Sequence, residues 1–205
     1  MQLEEFNPEN ISQIVERVFD LWSPDYDDDN FRRTYVEMVV RHNIAANDMQ
    51  FQIVENGKLR AITFAEKKDE ENSIEEWYQE QYKKLAADQQ IYFKNGREYL
   101  HMMDKKTFAF MSPDDVKLSL FVSLQPGYGK EILPQAMKLF RSRGYKNMYL
   151  WTDCECNVDW YYDHGYELVE KSIYEPFSGD GFEYETYIFK KILYYKNNNI
   201  IKESK

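Results

Sequence analysis

The sequence predicts a mixed α/β fold in which about six or seven strands form one twisted sheet with helices on both faces. Two observations lead there. Strand-like runs alternate with amphipathic helical runs in the second half of the chain, which implies some parallel pairing. An Asn56-Gly57 turn between two apolar runs marks an antiparallel hairpin in the first half. With 205 residues, 43% of them hydrophobic, the chain is long enough for a packed core and far from a disordered composition. Residues 1–195 are read as a single domain with a helical insertion at about 67–106, and 196–205 as a polar tail.

The elements follow in order. Residues 1–6 alternate weakly and suit a first edge strand. After Asn7-Pro8, Ile11, Ile14, Val15, Val18, Phe19 and Trp22 recur at helical spacing and stop before Pro24. An acidic loop, Asp25–Asp29, leads into a second helix over about 31–44, with Asp29 or Asn30 as its cap. The hairpin at 51–64 comes next. Residues 67–106 are polar; Ser73 and Glu76 have the spacing of a capping box, and Ile74, Trp77, Tyr78, Tyr82 and Leu85 mark an amphipathic helix. A weaker element covers about 91–103, with Asn95-Gly96 interrupting it. The aromatic stripe must bury, with the sheet as the expected partner; its spacing leaves dimerisation open as well.

Val116–Val122 is a strand entered through Ser112-Pro113-Asp114-Asp115. The turn Gln125-Pro-Gly-Tyr-Gly-Lys130 precedes a helix with Ile132, Leu133, Ala136, Met137 and Phe140 on one face, ending at Gly144. Residues 147–152 form a strand, 157–163 a short helix stopped by Gly165, and 167–174 and 185–193 the last two strands.

Composition narrows the function. A net charge of −10 argues against nucleic acid and suits a cationic partner such as an amine, although solubility accounts for it equally well. No apolar run approaches the roughly 20 residues that span a bilayer, and the start has no signal-peptide pattern. Two closely spaced cysteines, Cys154 and Cys156, with three His at 42, 101 and 164, make neither a disulfide framework nor a tetrahedral metal site. The expectation is a cytoplasmic protein without a metal.

The stretch Asn157-Val-Asp-Trp160-Tyr161-Tyr-Asp-His-Gly165-Tyr166 carries the most information. It resembles the Asn-x-x-aromatic-Tyr-x-x-x-Gly-aromatic signature of the GNAT family of N-acetyltransferases. The resemblance covers residues 110–190 well and the first hairpin loosely. It implies acetyl-CoA as cosubstrate and a primary amine, of a small molecule or a peptide, as acceptor. In this family the tyrosine lies beside the coenzyme sulfur and protonates the departing thiolate; on this register that residue is Tyr161, with Tyr162 its neighbour by a one-residue slip. Asn157 either lies near the coenzyme or caps the short helix.

The glycine turn is similar to the family's pyrophosphate loop, typically Gln/Arg-x-x-Gly-x-Gly/Ala. That likeness assigns Gln125, Gly127, Tyr128, Gly129 and Lys130 to the coenzyme. Glycines there let backbone N–H groups approach a diphosphate at a helix N-terminus. The spacing departs from the pattern, since one residue separates Gln125 from Gly127, and Pro134 falls early in the helix, where only the first turn tolerates it. The family's pantetheine arm lies in a V-shaped gap bounded here by 118–123 and 148–152, with backbone contacts from Leu120, Phe121 and Val122.

A base must take the amine's proton. Asp153 and Glu155 are candidates at a strand end facing the gap; Asp114 and Asp115 lie farther off. The loops at 25–29 and 175–185 are candidates to rim an acceptor pocket. An acyl-CoA-binding or protein-interaction module on the same fold is the alternative reading.

Overall fold

A computed structural model of the chain describes residues 2–194; the polar tail assigned to 196–205 lies outside the described residues. A short strand β1 (Glu4–Glu5) precedes helix α1 (Ile11–Trp22), whose buried Ile11, Ile14, Val15 and Val18 form one face. Helix α2 (Asp29–His42) starts two places earlier than expected, because the Asp28 carboxylate accepts the N–H groups of Asn30 and Phe31. It ends at His42 rather than Ile44. Strands β2 (Gln50–Glu55) and β3 (Lys58–Lys67) form the hairpin with Asn56-Gly57 at its turn.

The connection to the next strand holds α3 (Glu75–Tyr82) and α4 (Ala87–Phe110), and three expectations change there. The residue that precedes α3 is the buried Ile74, with no side-chain cap, so the Ser73–Glu76 capping box does not form. Helix α4 runs unbroken through Asn95-Gly96 and reaches Phe110, past the expected end of the insertion. Gly96 is buried, and a Cβ there would collide with the Tyr35 ring and hydroxyl; the glycine serves close packing against α2. The aromatic stripe of α3 buries against α4 and α2 rather than the sheet. Tyr78 stacks on Phe93 with centroids 4.9 Å apart, and the Arg41 guanidinium lies 5.1 Å from the Trp77 ring.

The second half supplies β4 (Asp115–Ser123), α5 (Gly129–Ser142), β5 (Asn147–Asp153), α6 (Val158–Asp163), β6 (Glu167–Ile173) and β7 (Glu185–Ile192). All the strands form one seven-stranded sheet in the order β1-β2-β3-β4-β5-β7-β6, with β4–β5 parallel and the other pairs antiparallel. Helices α1, α2 and α4 cover one face, burying Val18, Val36, Phe64 and Leu120, then Met103, Tyr149 and Ile188. Helices α5 and α6 cover the other, over Leu118, Leu150 and Phe189. No helix among the described residues is long and apolar enough to cross a membrane.

Pro134 lies inside α5 beyond its first turn. It cannot donate to the Lys130 carbonyl one turn back, so the start of α5 lacks a hydrogen bond that an unbroken helix would make.

Candidate active site

The parallel ladder between β4 and β5 has three registered pairs, Asp115 with Asn147, Val116 with Met148 and Lys117 with Tyr149, and then ends. Beyond it the two strands part. The facing edges of 118–123 and 150–153 have no strand partner among the described residues, although Leu118, Leu120, Leu150 and Thr152 are all buried. A bulge helps to separate them: Phe64 pairs with Leu120 and Ala65 with Leu118, leaving Ser119 as the extra residue of β4. Buried backbone amides are nearly always hydrogen-bonded. A gap lined by two such edges therefore fits a narrow ligand bearing amides of its own, as a pantetheine arm does.

The glycine turn lies at the end of β4. Gly127 has φ of 92°, a conformation that suits glycine. A Cβ on Gly129 would stand 3.0 Å from the Phe121 ring, so this glycine lets the turn pack on β4. The Gly129 N–H donates to Ser123 Oγ at 3.1 Å, and the Lys130 and Glu131 N–H groups make tight-turn bonds to the Gly127 and Tyr128 carbonyls, both 3.1 Å. Tyr128 is tied to the hairpin, its hydroxyl donating to Glu55 Oε2 at 2.6 Å. Gln125 and Lys130 are exposed. The turn offers a diphosphate the open Lys130 ammonium and a helix start whose tight-turn bonds a stronger acceptor can replace.

On the α5 side of the gap stands α6. Asn157 Oδ1 accepts the Trp160 N–H at 3.3 Å, so Asn157 caps the helix. Gly165, with φ of 69°, ends it. Tyr161 packs on Phe189 with centroids 5.3 Å apart, while Tyr162 is exposed. Burial raises the Tyr161 phenol above its ordinary range, and Cys156, Tyr166 and Asp153 add to the shift. Trp160 approaches Phe121 to 5.9 Å, bridging the opening from α6 to β4.

On the opposite face, the end of β5 presents carboxylates to an aromatic wall. Asp153 is 8% exposed; it accepts the Tyr99 hydroxyl at 3.1 Å and the Glu155 N–H at 3.2 Å. Glu155 is at the surface, its carboxyl held above the usual range by partial desolvation and then by Asp153. Neither forms an ion pair among the described residues. Tyr99 of α4 touches Trp151, Tyr174, Phe177 and Tyr184 with centroids 4.9–6.0 Å apart. The Tyr35 phenol is pushed up to about 12, by burial and then by Glu155. The loop at 25–28 lines a separate open cavity of about 570 Å³ with Gln89.

The sequence-predicted residues thus fall into three groups around one gap. The glycine turn lies at the end of β4, Tyr161 on the α5 face, and Asp153 with Glu155 on the α4 face. Asp114 and Asp115 lie at the closed end. Asp115 is buried, accepting the Ser112 N–H and hydroxyl (both 2.8 Å) and the Asn147 amide (2.7 Å), and Asp114 pairs with Lys146 at 2.5 Å. Tyr99 and Tyr184, which flank Asp153 from α4 and the β6–β7 connection, had no local signal in the sequence. Burial raises the Cys156 thiol to about 11, and Asp153 adds to it. Among the described residues no three His, Cys, Asp or Glu side chains are grouped to hold a metal ion.

No protein-family model and no curated protein sequence matches the chain. Solved structures do. The ribosomal-protein-S18-alanine N-acetyltransferase of Escherichia coli superposes with a TM-score of 0.53 at 10% identity, covering 97% of each chain. Arylalkylamine N-acetyltransferase 2 of Aedes aegypti gives 0.52 at 11% identity, covering 94% of this chain and 99% of the other. The C-terminal condensation domain of Ebony, in complex with beta-alanyl-dopamine, gives 0.58 at 7% identity, covering 93% and 98%. With its sheet order, its parted parallel pair and these likenesses, the chain has the fold of the GNAT N-acetyltransferases.

Proposed function

We propose that this protein is an N-acetyltransferase that moves an acetyl group from acetyl-CoA to the primary amine of a small cationic acceptor. The observation that carries this reading is the β4–β5 gap, with Tyr161 on one face and the unpaired carboxylates of Asp153 and Glu155 on the other. That the fold serves N-acetyl transfer in the S18-alanine and arylalkylamine enzymes supports the reaction class.

The thioester supplies an activated acyl group, and the chain supplies position and proton handling. The backbone edges of Leu120, Phe121 and Val122 hold the arm, and Gly127, Gly129 and Lys130 receive the diphosphate. An amine arriving as its ammonium is drawn to Asp153 and Glu155 and to the aromatic faces beside them. Asp153, oriented by Tyr99, takes a proton from the ammonium, with Glu155 the alternative acceptor. The amine nitrogen then bonds to the carbonyl carbon while the carbon–sulfur bond breaks. Tyr161 donates its proton to the leaving sulfur and regains one from solvent, and the second amine proton leaves to solvent. The products are an acetylated amine and the free coenzyme thiol.

A second reading, an acyl-CoA-binding module without transfer activity, is favoured by the internally bonded start of α5 and by Pro134. Calorimetric titration with acetyl-CoA and with free CoA, followed by a thiol-release assay over an amine panel, separates the two. The expected result is saturable micromolar binding, about 7–8 kcal/mol, and thiol release dependent on a cationic amine. Binding without release on any amine selects the module. No heat at millimolar ligand sinks both.

A further inference from the structure

Lys117 is buried at the centre of an ion cluster that the proposed reaction does not use. Its side chain is 1% exposed and lies between two carboxylates, Glu66 at 2.5 Å and Asp104. Asp104 also bonds His42 Nε2 at 2.8 Å and accepts the Trp151 indole N–H at 2.7 Å. Glu66 accepts the Ser119 hydroxyl at 3.0 Å. The far nitrogen of His42 faces the Asn72 amide at 3.4 Å. The cluster gathers side chains from α2, β3, α4, β4 and β5.

Its position is informative, because a buried ion pair is a poor source of net stability. Lys117 is the last residue of β4 registered with β5, opposite Tyr149. Ser119 is the bulge residue just beyond it on β4, and Trp151 lies just beyond Tyr149 on β5. The cluster therefore grips both strands immediately past their point of separation. Two adjacent parallel strands with unpaired edges gain hydrogen bonds by closing, so an open gap needs something to hold it.

We propose that the Lys117–Asp104–Glu66 cluster is a clamp that sets the separation of β4 and β5, with Ser119 and Trp151 as the positioning residues that pass it to the two edges of the acyl-donor gap. The gap's role as donor site rests on the function proposed above; the clamp itself does not. Desolvation alone would push the Lys117 ammonium down, but Asp104 and Glu66 reverse this and keep it charged. The clamp is then held by charge-assisted hydrogen bonds, the strong and directional kind.

The test uses Ser119→Ala, Trp151→Phe and the double variant, with Phe93→Leu, between α3 and α4, as a control that lowers stability away from the strands. Backbone hydrogen exchange is followed over 118–123 and 150–153, alongside calorimetric CoA binding. Each single variant is expected to speed exchange in both strands together and to weaken CoA binding about tenfold, with the control changing neither. Exchange that rises only in the strand carrying the substitution overturns the clamp, as does CoA affinity equal to the control's in variants of a protein that binds it. If the unaltered protein binds no CoA, the transfer reading falls, and the exchange pattern alone still decides the clamp.

Discussion

At the scale of single residues, two side chains make separable predictions. Among the described residues the Tyr161 hydroxyl has no hydrogen-bond partner, and burial keeps the phenol protonated through neutral pH, so it can donate to a leaving sulfur. Tyr161→Phe is expected to lower kcat about tenfold or more while CoA affinity by calorimetry stays near that of the unaltered protein. An unchanged kcat assigns the ring to packing on Phe189 alone. Asp104 makes a prediction about stability. Desolvation would raise its carboxyl, but the Lys117 ammonium and His42 outweigh it and hold it well below the usual carboxylate range. A depressed folded pKa stabilises the fold above the ordinary carboxylate pKa of about 4, and the contribution is lost as pH falls below it. Between about pH 5 and pH 3 the melting temperature should therefore fall more steeply for the unaltered protein than for Asp104→Asn. Parallel curves would mean that Asp104 titrates like a free carboxylate.

At the scale of elements, the sequence specified more of the fold than of the site. Helix α1, the Asn56-Gly57 hairpin and the run from β4 to β7 follow from periodicity, caps and turn residues, which act over a few positions. Helix α4 did not, because Asn95-Gly96 has the local chemistry of a break and only the Tyr35 ring explains it. This reverses the usual sign of a substitution. Gly→Ala inside an exposed helix is ordinarily worth about 1 kcal/mol of added stability. Gly96→Ala is instead expected to cost about 1–3 kcal/mol in urea denaturation, because the Cβ must displace a packed ring. A gain in stability would show that Tyr35 moves aside freely. The same limit hid Tyr99 and Lys117. Tyr99 meets Asp153 across 54 positions of sequence, and Lys117 reads as one polar residue in an alternating strand. The Asn157–Tyr166 signature was legible because its cap, helix and stop lie within ten residues of one another.

At the scale of the whole molecule, the two proposed substrates meet one field with opposite charges. The chain carries a net charge of −10, part of it at the candidate acceptor end, where Asp153 and Glu155 form no ion pair among the described residues. Acetyl-CoA is an anion, and the donor turn offers it one exposed lysine, Lys130, within an acidic molecule. Long-range attraction should then speed encounter with a cationic amine while long-range repulsion slows encounter with the coenzyme. Salt weakens both, since the screening length falls from about 30 Å at 0.01 M to about 10 Å at 0.1 M. Over that range kcat/KM for the cationic amine is expected to fall, and kcat/KM for acetyl-CoA to rise. Because the two responses have opposite signs, a general effect of salt on the fold cannot mimic them. Two falling curves would place a local cation at the donor turn in control of coenzyme capture. A flat curve for the amine would mean that the acceptor is recognised as a neutral molecule and that Asp153 and Glu155 do not draw it in.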